Sequence, residues 1–487
     1  MTIKEKSIRG VGWSAVQNWG NQVILLAVFA VLARLLDPED FGLVALANVF
    51  VAFFRVIAQQ GLSMAIVQRR DLEEAHINAA FVANMAISVV IAAAVIAAAD
   101  VLAALLDMPA LAPIIRWLSV IFVMSGLSSV QQALLQRALD FKSLAARQLI
   151  AGVAGGAVGV LMALNGYGLW SLVGQQVTTS VVQVVVLWHL SPWRPALSFS
   201  TRHFREIFSF GANVMGIGLL ESVNRNADNF LIGYFLGPVA LGYYSIAYKL
   251  LMTLTRLFNG VLNKVAFSSF SALQADTAQL RHAFYSATRL TSLVTFPAYI
   301  GVSTLSPELV TTLFGEQWTL SIGVIQVLAL VGIVESVYFF NANVMLAKGK
   351  ASWRLILNLL SAAVNLIGFL IAVRWGIVAV AAAYVLRAYL LSPLPLMLVN
   401  RLIGLDYRRY FANLAAPLAA ALVMSGVLIA ARGWLAPLVG GLQLTVALIA
   451  IGVAVYALSI SLLAPELLRQ ASRVTRMLAP GRKAPKT

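Results

Sequence analysis

Seven basic side chains, Arg55, Arg116, Arg225, Lys249, Arg256, Arg289 and Arg387, lie inside long apolar stretches. They are the residues best placed to do chemistry in this chain. On insertion scales a charge at mid-bilayer costs about 2.5–3.5 kcal/mol. A set of them facing lipid would outweigh the roughly 5–15 kcal/mol of net stability that a domain possesses. Most must therefore face water, a partner charge or an anionic ligand. Arg116 and Arg289 lie near helix ends, where a long side chain reaches the interface by snorkelling.

Polar residues recur near the remaining five. On one stretch Lys249, Arg256 and Asn263 are spaced by seven and share a helical face. On the preceding one Glu221, Arg225 and Asp228 are spaced by four and three, so Arg225 has an internal pairing with the two acids open to it as well as a ligand-binding role. Ser14, Gln17, Asn18 and Asn21 add polarity to the first apolar stretch, and Gln59 follows Arg55 by one turn. The expected substrate-binding set is Arg55, Arg256, Arg225, Lys249, Asn18, Asn21 and Gln59. Glu221, Asp228 and Glu335 are the acids placed well within apolar stretches, and such carboxylates often carry protons or sodium in transporters, so they are the ion-coupling candidates.

Other chemistry is excluded or unsupported. The chain has no cysteine, hence no disulfide, thiol nucleophile or cysteine-ligated metal. His76, His189, His203 and His282 show no metal-ligand spacing, and no triad, P-loop or dinucleotide signature occurs. No cofactor and no catalytic residue is expected. The net charge of +16 is scattered over short loops rather than gathered on one soluble surface, which argues against nucleic acid.

The elements that must position these side chains follow from hydropathy. Sixty percent of the 487 residues are hydrophobic and 11% are charged, with a mean hydropathy of +0.86. Apolar stretches of about 20 residues, the length that spans hydrocarbon as a helix, recur from Val11 to Leu463. Lipid-exposed backbone must satisfy its own hydrogen bonds, and the runs are too uniformly apolar for barrel strands, so the spans are helices. The reading is an all-α polytopic membrane protein with about fourteen transmembrane helices. Interruption of the first apolar stretch by Gln17, Asn18, Asn21 and Gln22, with no A-x-A pattern after it, reads as an uncleaved first helix rather than a signal peptide. Basic residues then sort by side. Alternate gaps together with both ends hold 25 of them, the opposite gaps only Arg34, Arg374 and Arg432. By the positive-inside rule both termini are cytoplasmic. The opposite gaps are also too short for a catalytic domain.

A repeat divides the helices. Leu36, Pro38 and Gly42 return as Leu236, Pro238 and Gly242 at an offset of 200, and Lys142 and Gly168 return as Lys350 and Gly376 at 208. Six crossings separate the copies, so both begin on the same side and the pseudo-axis runs along the membrane normal. Two pseudo-symmetric six-helix lobes are expected, residues 1–200 and 201–405, followed by two further helices over 406–465 and a basic tail over 466–487. Arg55 and Arg256 follow Gly42 and Gly242 by 13 and 14 residues, which puts one arginine in each lobe at similar depth. The glycine run Gly152, Gly155, Gly156 and Gly159 reads as a close helix-packing face.

Several segments carry a family resemblance. Arg-Leu-Leu-Asp-Pro-Glu-Asp-Phe-Gly from Arg34, Gly-Leu-Ser-Met-Ala-Ile-Val-Gln-Arg from Gly61, Leu-Gln-Arg-Ala-Leu-Asp-Phe from Leu135, Gly-Tyr-Gly-Leu-Trp-Ser-Leu-Val from Gly166 and Leu-Ile-Gly-Tyr-Phe-Leu-Gly-Pro-Val-Ala-Leu-Gly-Tyr-Tyr from Leu231 resemble the Wzx-type polysaccharide exporters and flippases of the multidrug/oligosaccharidyl-lipid/polysaccharide superfamily. The resemblance implies a flippase, not an enzyme. Its substrate would be an undecaprenyl-pyrophosphate-linked oligosaccharide moved from the cytoplasmic to the periplasmic leaflet of the inner membrane. Guanidinium suits that substrate because its planar fork of donors matches phosphate oxygens and stays charged when desolvated. Expected partners are the polyprenyl-linked glycan, membrane lipids and polysaccharide assembly proteins, with the transporter itself a monomer. A peptidoglycan lipid II flippase, a cation-coupled multidrug exporter and a membrane polysaccharide polymerase or ligase stay open as alternatives. The excess of intramembrane arginine over acid disfavours the drug exporter, and the short outer gaps disfavour the polymerase or ligase.

Overall fold

The computed structural model describes residues 20–469 apart from 60, 61, 70, 197 and 468; Asn18 and nearly all of the basic tail lie outside the described residues. Every element is helical, with no strand among the described residues. In chain order the long helices are α1 (Gly20–Leu35), α2 (Pro38–Gln59), α3 (Glu74–Leu105), α4 (Leu111–Arg137), α5 (Phe141–Leu164) and α6 (Trp170–Leu190). The run Thr201–Ala272 has two arms, α7 (201–236) and α8 (238–272), and after it come α9 (Thr277–Thr304), α10 (Ser321–Ala347), α11 (Ala351–Trp375), α12 (Ile377–Ile403), α13 (Tyr407–Leu435) and α14 (Gly441–Leu463).

Gly237 separates the two arms, with φ 84° and ψ 176° in the left-handed region that suits glycine, and Pro238 then opens the second arm. The apolar stretch Gly218–Phe258 has 41 residues, which as a straight helix would run about 60 Å, twice the hydrocarbon thickness. The chain doubles back instead. Tyr244 donates to Asp228 across 2.8 Å, although sixteen residues along a straight helix cover about 24 Å.

Eleven helices among the described residues are long and apolar enough to cross a membrane, or twelve if α9 and the short helix Ser306–Leu313, bent by 73°, count as one span. The expected fourteen additionally require both arms of Thr201–Ala272 to cross, and α1 as well, whose described part starts at Gly20. Outward faces carry large apolar side chains, among them Ile356, Ile367, Val453 and Leu462, and Leu462 is 75% exposed. In water such a surface would aggregate; in a bilayer it is solvated by lipid.

Acidic caps begin three of the helices that follow basic gaps. Asp140 accepts from the backbone of Ser143, Asp276 from Ala278 and Gln279, and Asp406 from Arg408 and Arg409. Each satisfies amides that the first turn leaves bare. The glycine run packs helices closely, as its spacing indicates. A Cβ on Gly155 would lie 1.9 Å from Thr179 Oγ1 of α6, and one on Gly156 2.4 Å from Val28 Cγ2 of α1.

The chain divides into two compact units, residues 1–246 with 369–377, and residues 247–368 with 378–487. They are packing units and need not coincide with the repeat. In the first, Leu62, Ile66, Phe81, Val130 and Ile207 form an apolar cluster. In the second, Phe284, Phe296, Phe340, Tyr410, Met424 and Leu448 join α9, α10, α13 and α14.

Candidate functional site

In the first unit, α2 and α7 run antiparallel. Val56 approaches Gly218, the rings of Phe50 and Phe230 meet edge to face at 6.1 Å, and Leu46 fills the space over Gly233. Arg55 sits on this α2 framework. It is half-buried, and its Nε is shielded from solvent with no hydrogen-bond acceptor among the described residues. A charged donor left without a partner inside a bundle is costly, so the position calls for an anion or water. Asn21 is buried on α1 with its side-chain oxygen beside Gly152 of α5, and the side chain of Gln59 lies outside the described residues.

The acidic and basic residues of α7 separate. Arg225 and Glu221 are exposed, whereas Asp228 is 2% exposed. Its carboxylate accepts from Tyr244 Oη at 2.8 Å and from the amide of Asn229 at 2.7 Å. The carboxylate that the four-and-three spacing offers to Arg225 is thus engaged by α8, because the break at Gly237 folds Tyr244 back onto it. No ion pair of Arg225 occurs among the described residues.

In the second unit Lys249 is half-buried and Arg256 exposed on α8. Thr255, next to Arg256, shares a hydrogen bond of 3.0 Å with Tyr299 of α9. Glu335 of α10 accepts from Tyr384 of α12 at 3.2 Å. The ring of the same tyrosine carries the guanidinium of Arg387 at 4.7 Å, and Arg387 Nε donates to Asn365 of α11 at 2.9 Å. Glu335, Tyr338, Ser361, Arg387 and Ser392 line a cavity of about 130 Å³ walled by leucines. Arg387 stands eleventh of the 27 residues of α12, and Glu335 fifteenth of the 27 of α10, so both are near mid-span. The sequence shows Arg387 among the intramembrane bases, but its partners Tyr384 and Asn365 come from helices whose packing no local spacing reveals. Asn365, a buried amide in an apolar helix, was the available signal.

A second polar cluster joins the start of α3 to the start of α7. Glu206 accepts from His76 Nε2 at 3.1 Å and pairs with Arg69, His203 pairs with Glu73 at 3.3 Å, and the two imidazoles lie 4.5 Å apart. Hydrogen bonds from His76 and Arg69 hold the Glu206 carboxyl down to about 2. Ligand atoms of Glu73, His76 and His203 fall within 4.8 Å of one another, a grouping that local spacing misses because residue 203 is far along the chain. A metal nevertheless suits it poorly. His76 Nδ1 accepts from the Glu73 amide at 3.2 Å, so the ring proton sits on Nε2, the atom that faces Glu206 and that a metal would need bare. The arrangement is a capping box tied to α7, which positions the helix carrying Arg225 and Asp228.

The chain and its fold are similar to those of known proteins. The sequence profile described as "Polysaccharide biosynthesis protein" matches residues 31–323, more than half of the chain. Among relatives, the lipopolysaccharide biosynthesis protein WzxC of Escherichia coli is 27% identical over 86% of this chain and 86% of its own. The succinoglycan biosynthesis transport protein ExoT of Rhizobium meliloti is 28% identical over 68% and 67%. The teichuronic acid biosynthesis protein TuaB of Bacillus subtilis is 25% identical over 72% and 73%. The fold is similar to that of the lipid II flippase MurJ in an inward closed conformation, with a TM-score of 0.76 and 13% identity over 94% of this chain and 99% of that one. It is also similar to an inward-facing MATE-family transporter of the MOP superfamily, with a TM-score of 0.64 and 16% identity over 80% and 98%. With a profile match over most of its first twelve helices and relatives spanning up to 86% of its length, the chain belongs to the polysaccharide biosynthesis protein family.

Proposed function

We propose that this protein is a lipid-linked glycan flippase that moves an undecaprenyl-pyrophosphate-linked oligosaccharide from the cytoplasmic to the periplasmic leaflet of the inner membrane. The observation that carries the reading is Arg55: a guanidinium on a membrane-spanning helix whose buried Nε has no acceptor among the described residues, in a chain of the polysaccharide biosynthesis family. Arg55 and Arg256 hold the diphosphate as two donor forks. Arg225, Lys249, Asn18, Asn21 and Gln59 are the further substrate-binding candidates. The lobes 1–200 and 201–405 alternate in opening the diphosphate-binding arginines to one side and then the other, with 406–465 appended and both termini cytoplasmic. The glycan is carried without chemical change by a monomer. Glu335, Asp228 and Glu221 are the coupling acids, and Glu335 is the best placed of the three, since it faces a cavity beside a fixed guanidinium near mid-span.

The test is reconstitution in vesicles with a defined undecaprenyl-pyrophosphate oligosaccharide, followed leaflet by leaflet through an impermeant glycosidase. Flux above that of protein-free vesicles supports the reading. Flux of lipid II or of a cationic drug, with none for the oligosaccharide, assigns the protein to one of the other transporter classes.

A further inference from the structure

The repeated Leu-x-Pro-x-x-x-Gly segment does more than turn the chain. Pro38 and Gly42 open α2, Pro238 and Gly242 open α8, and within each pair the residues are one helical turn apart on one face. A Cβ on Gly42 would lie 1.7 Å from the carbonyl oxygen of Pro238, and one on Gly242 1.9 Å from that of Pro38. Each proline carbonyl thus occupies the place of the other helix's absent side chain. The contact is reciprocal, as a two-fold axis between the two copies of the repeat requires. With only hydrogens on the glycine Cα atoms, the two backbones meet through a pair of weak Cα–H···O contacts. No other residue type fits at positions 42 or 242 without moving a backbone.

We propose that this reciprocal proline–glycine contact is the outer gate of the transport cycle, closed as seen here and parted when the outer side opens. The inference rests on the alternating-access reading and on the orientation stated above. Alternating access requires the two copies of the repeat to separate on whichever side is open. A backbone-to-backbone contact seals closely when shut, has no side chain to reorder, and gives up only weak interactions when it parts. Its position at the first turns of α2 and α8 puts it at the outer edge, above the Phe50–Phe230 packing.

The natural absence of cysteine provides the test. Phe50→Cys, below the contact, reports access from outside to an impermeant maleimide. Gly42→Ala and Gly242→Ala should each raise its labelling rate about tenfold and lower glycan flux about tenfold, because the outer side no longer closes. Gly426→Ala, at a glycine with no neighbour within 4 Å, should change neither. Bridging Glu39→Cys to Val239→Cys with a short cleavable bis-thiol reagent should stop flux, and cleavage should restore it. Unchanged labelling in folded Gly42→Ala protein, or normal flux in the bridged protein, overturns the gate. Should the alanine variants not fold, the bridged pair decides alone. Labelling needs no substrate, so a failed gate is distinguishable from a failed flippase reading, which would show as absent flux in the unsubstituted protein.

Discussion

Tyr244→Phe removes one oxygen, and with it the bond that ties α8 back to Asp228 on α7. Tyr244 is fully buried and Asp228 nearly so, with the bond at 2.8 Å. Hydrogen bonds to charged groups contribute roughly 1.5–3 kcal/mol in soluble proteins. Side-chain bonds in membrane interiors average about 0.6 and reach about 1.7. Asp228 keeps the Asn229 amide, so it is not left bare, and the expected loss is about 1–2 kcal/mol. A double-mutant cycle of Tyr244→Phe and Asp228→Asn, read by reversible unfolding in mixed micelles, should return most of that loss as coupling. Strictly additive single effects, within about 0.3–0.5 kcal/mol, would refute the claim that this bond joins the two arms.

Three further outcomes are expected. The Glu206 carboxyl, held at about 2 against an ordinary 4.5, stabilises the tie between α3 and α7 above about pH 4.5, and that tie is lost as pH falls through 2; hydrogen exchange at residues 71–76 should rise over this window in the unsubstituted protein, and be raised already at pH 7 in Glu206→Gln. Single cysteines near Gly166 and Pro238 should react with an impermeant thiol reagent from outside, and those near Lys142 and Lys350 only from inside; the reversed pattern would invert the topology. Glu335→Gln should uncouple flux from the driving ion gradient, and unchanged dependence on proton, sodium and voltage gradients in both Glu335→Gln and Asp228→Asn would remove the coupling role.

The fold was legible in sequence because bilayer physics writes long signals. Runs of about 20 apolar residues set the helices, and Pro238 and Gly237 mark a turn that any hydropathy reading places. The repeat gave Gly42 and Gly242 as equivalent positions, but their mutual contact is a property of two helices meeting and has no local signature. The same limit applied to the site. Arg55 and Arg387 stood out as charges in apolar surroundings. That Asp228 bonds Tyr244 and not Arg225, that Tyr384 links Glu335 to Arg387, and that His76 meets His203 all depend on contacts between segments sixteen to well over a hundred residues apart. Spacing along one helix names which residues share a face; it does not say what that face meets.

The central claim is that Arg55 and Arg256 hold the diphosphate of a lipid-linked glycan. Each lost guanidinium–phosphate interaction is worth about 1.5–3 kcal/mol, or roughly 10- to 100-fold in binding. The most direct measurement is leaflet-resolved flux of an undecaprenyl-pyrophosphate oligosaccharide per folded molecule, for Arg55→Ala, Arg256→Ala, their double variant and the matching lysine variants. The account predicts at least a tenfold loss for each alanine, a greater loss for the pair, and partial recovery with lysine, which restores charge without the fork. Flux in the folded double alanine variant equal to that of the unsubstituted protein would contradict it.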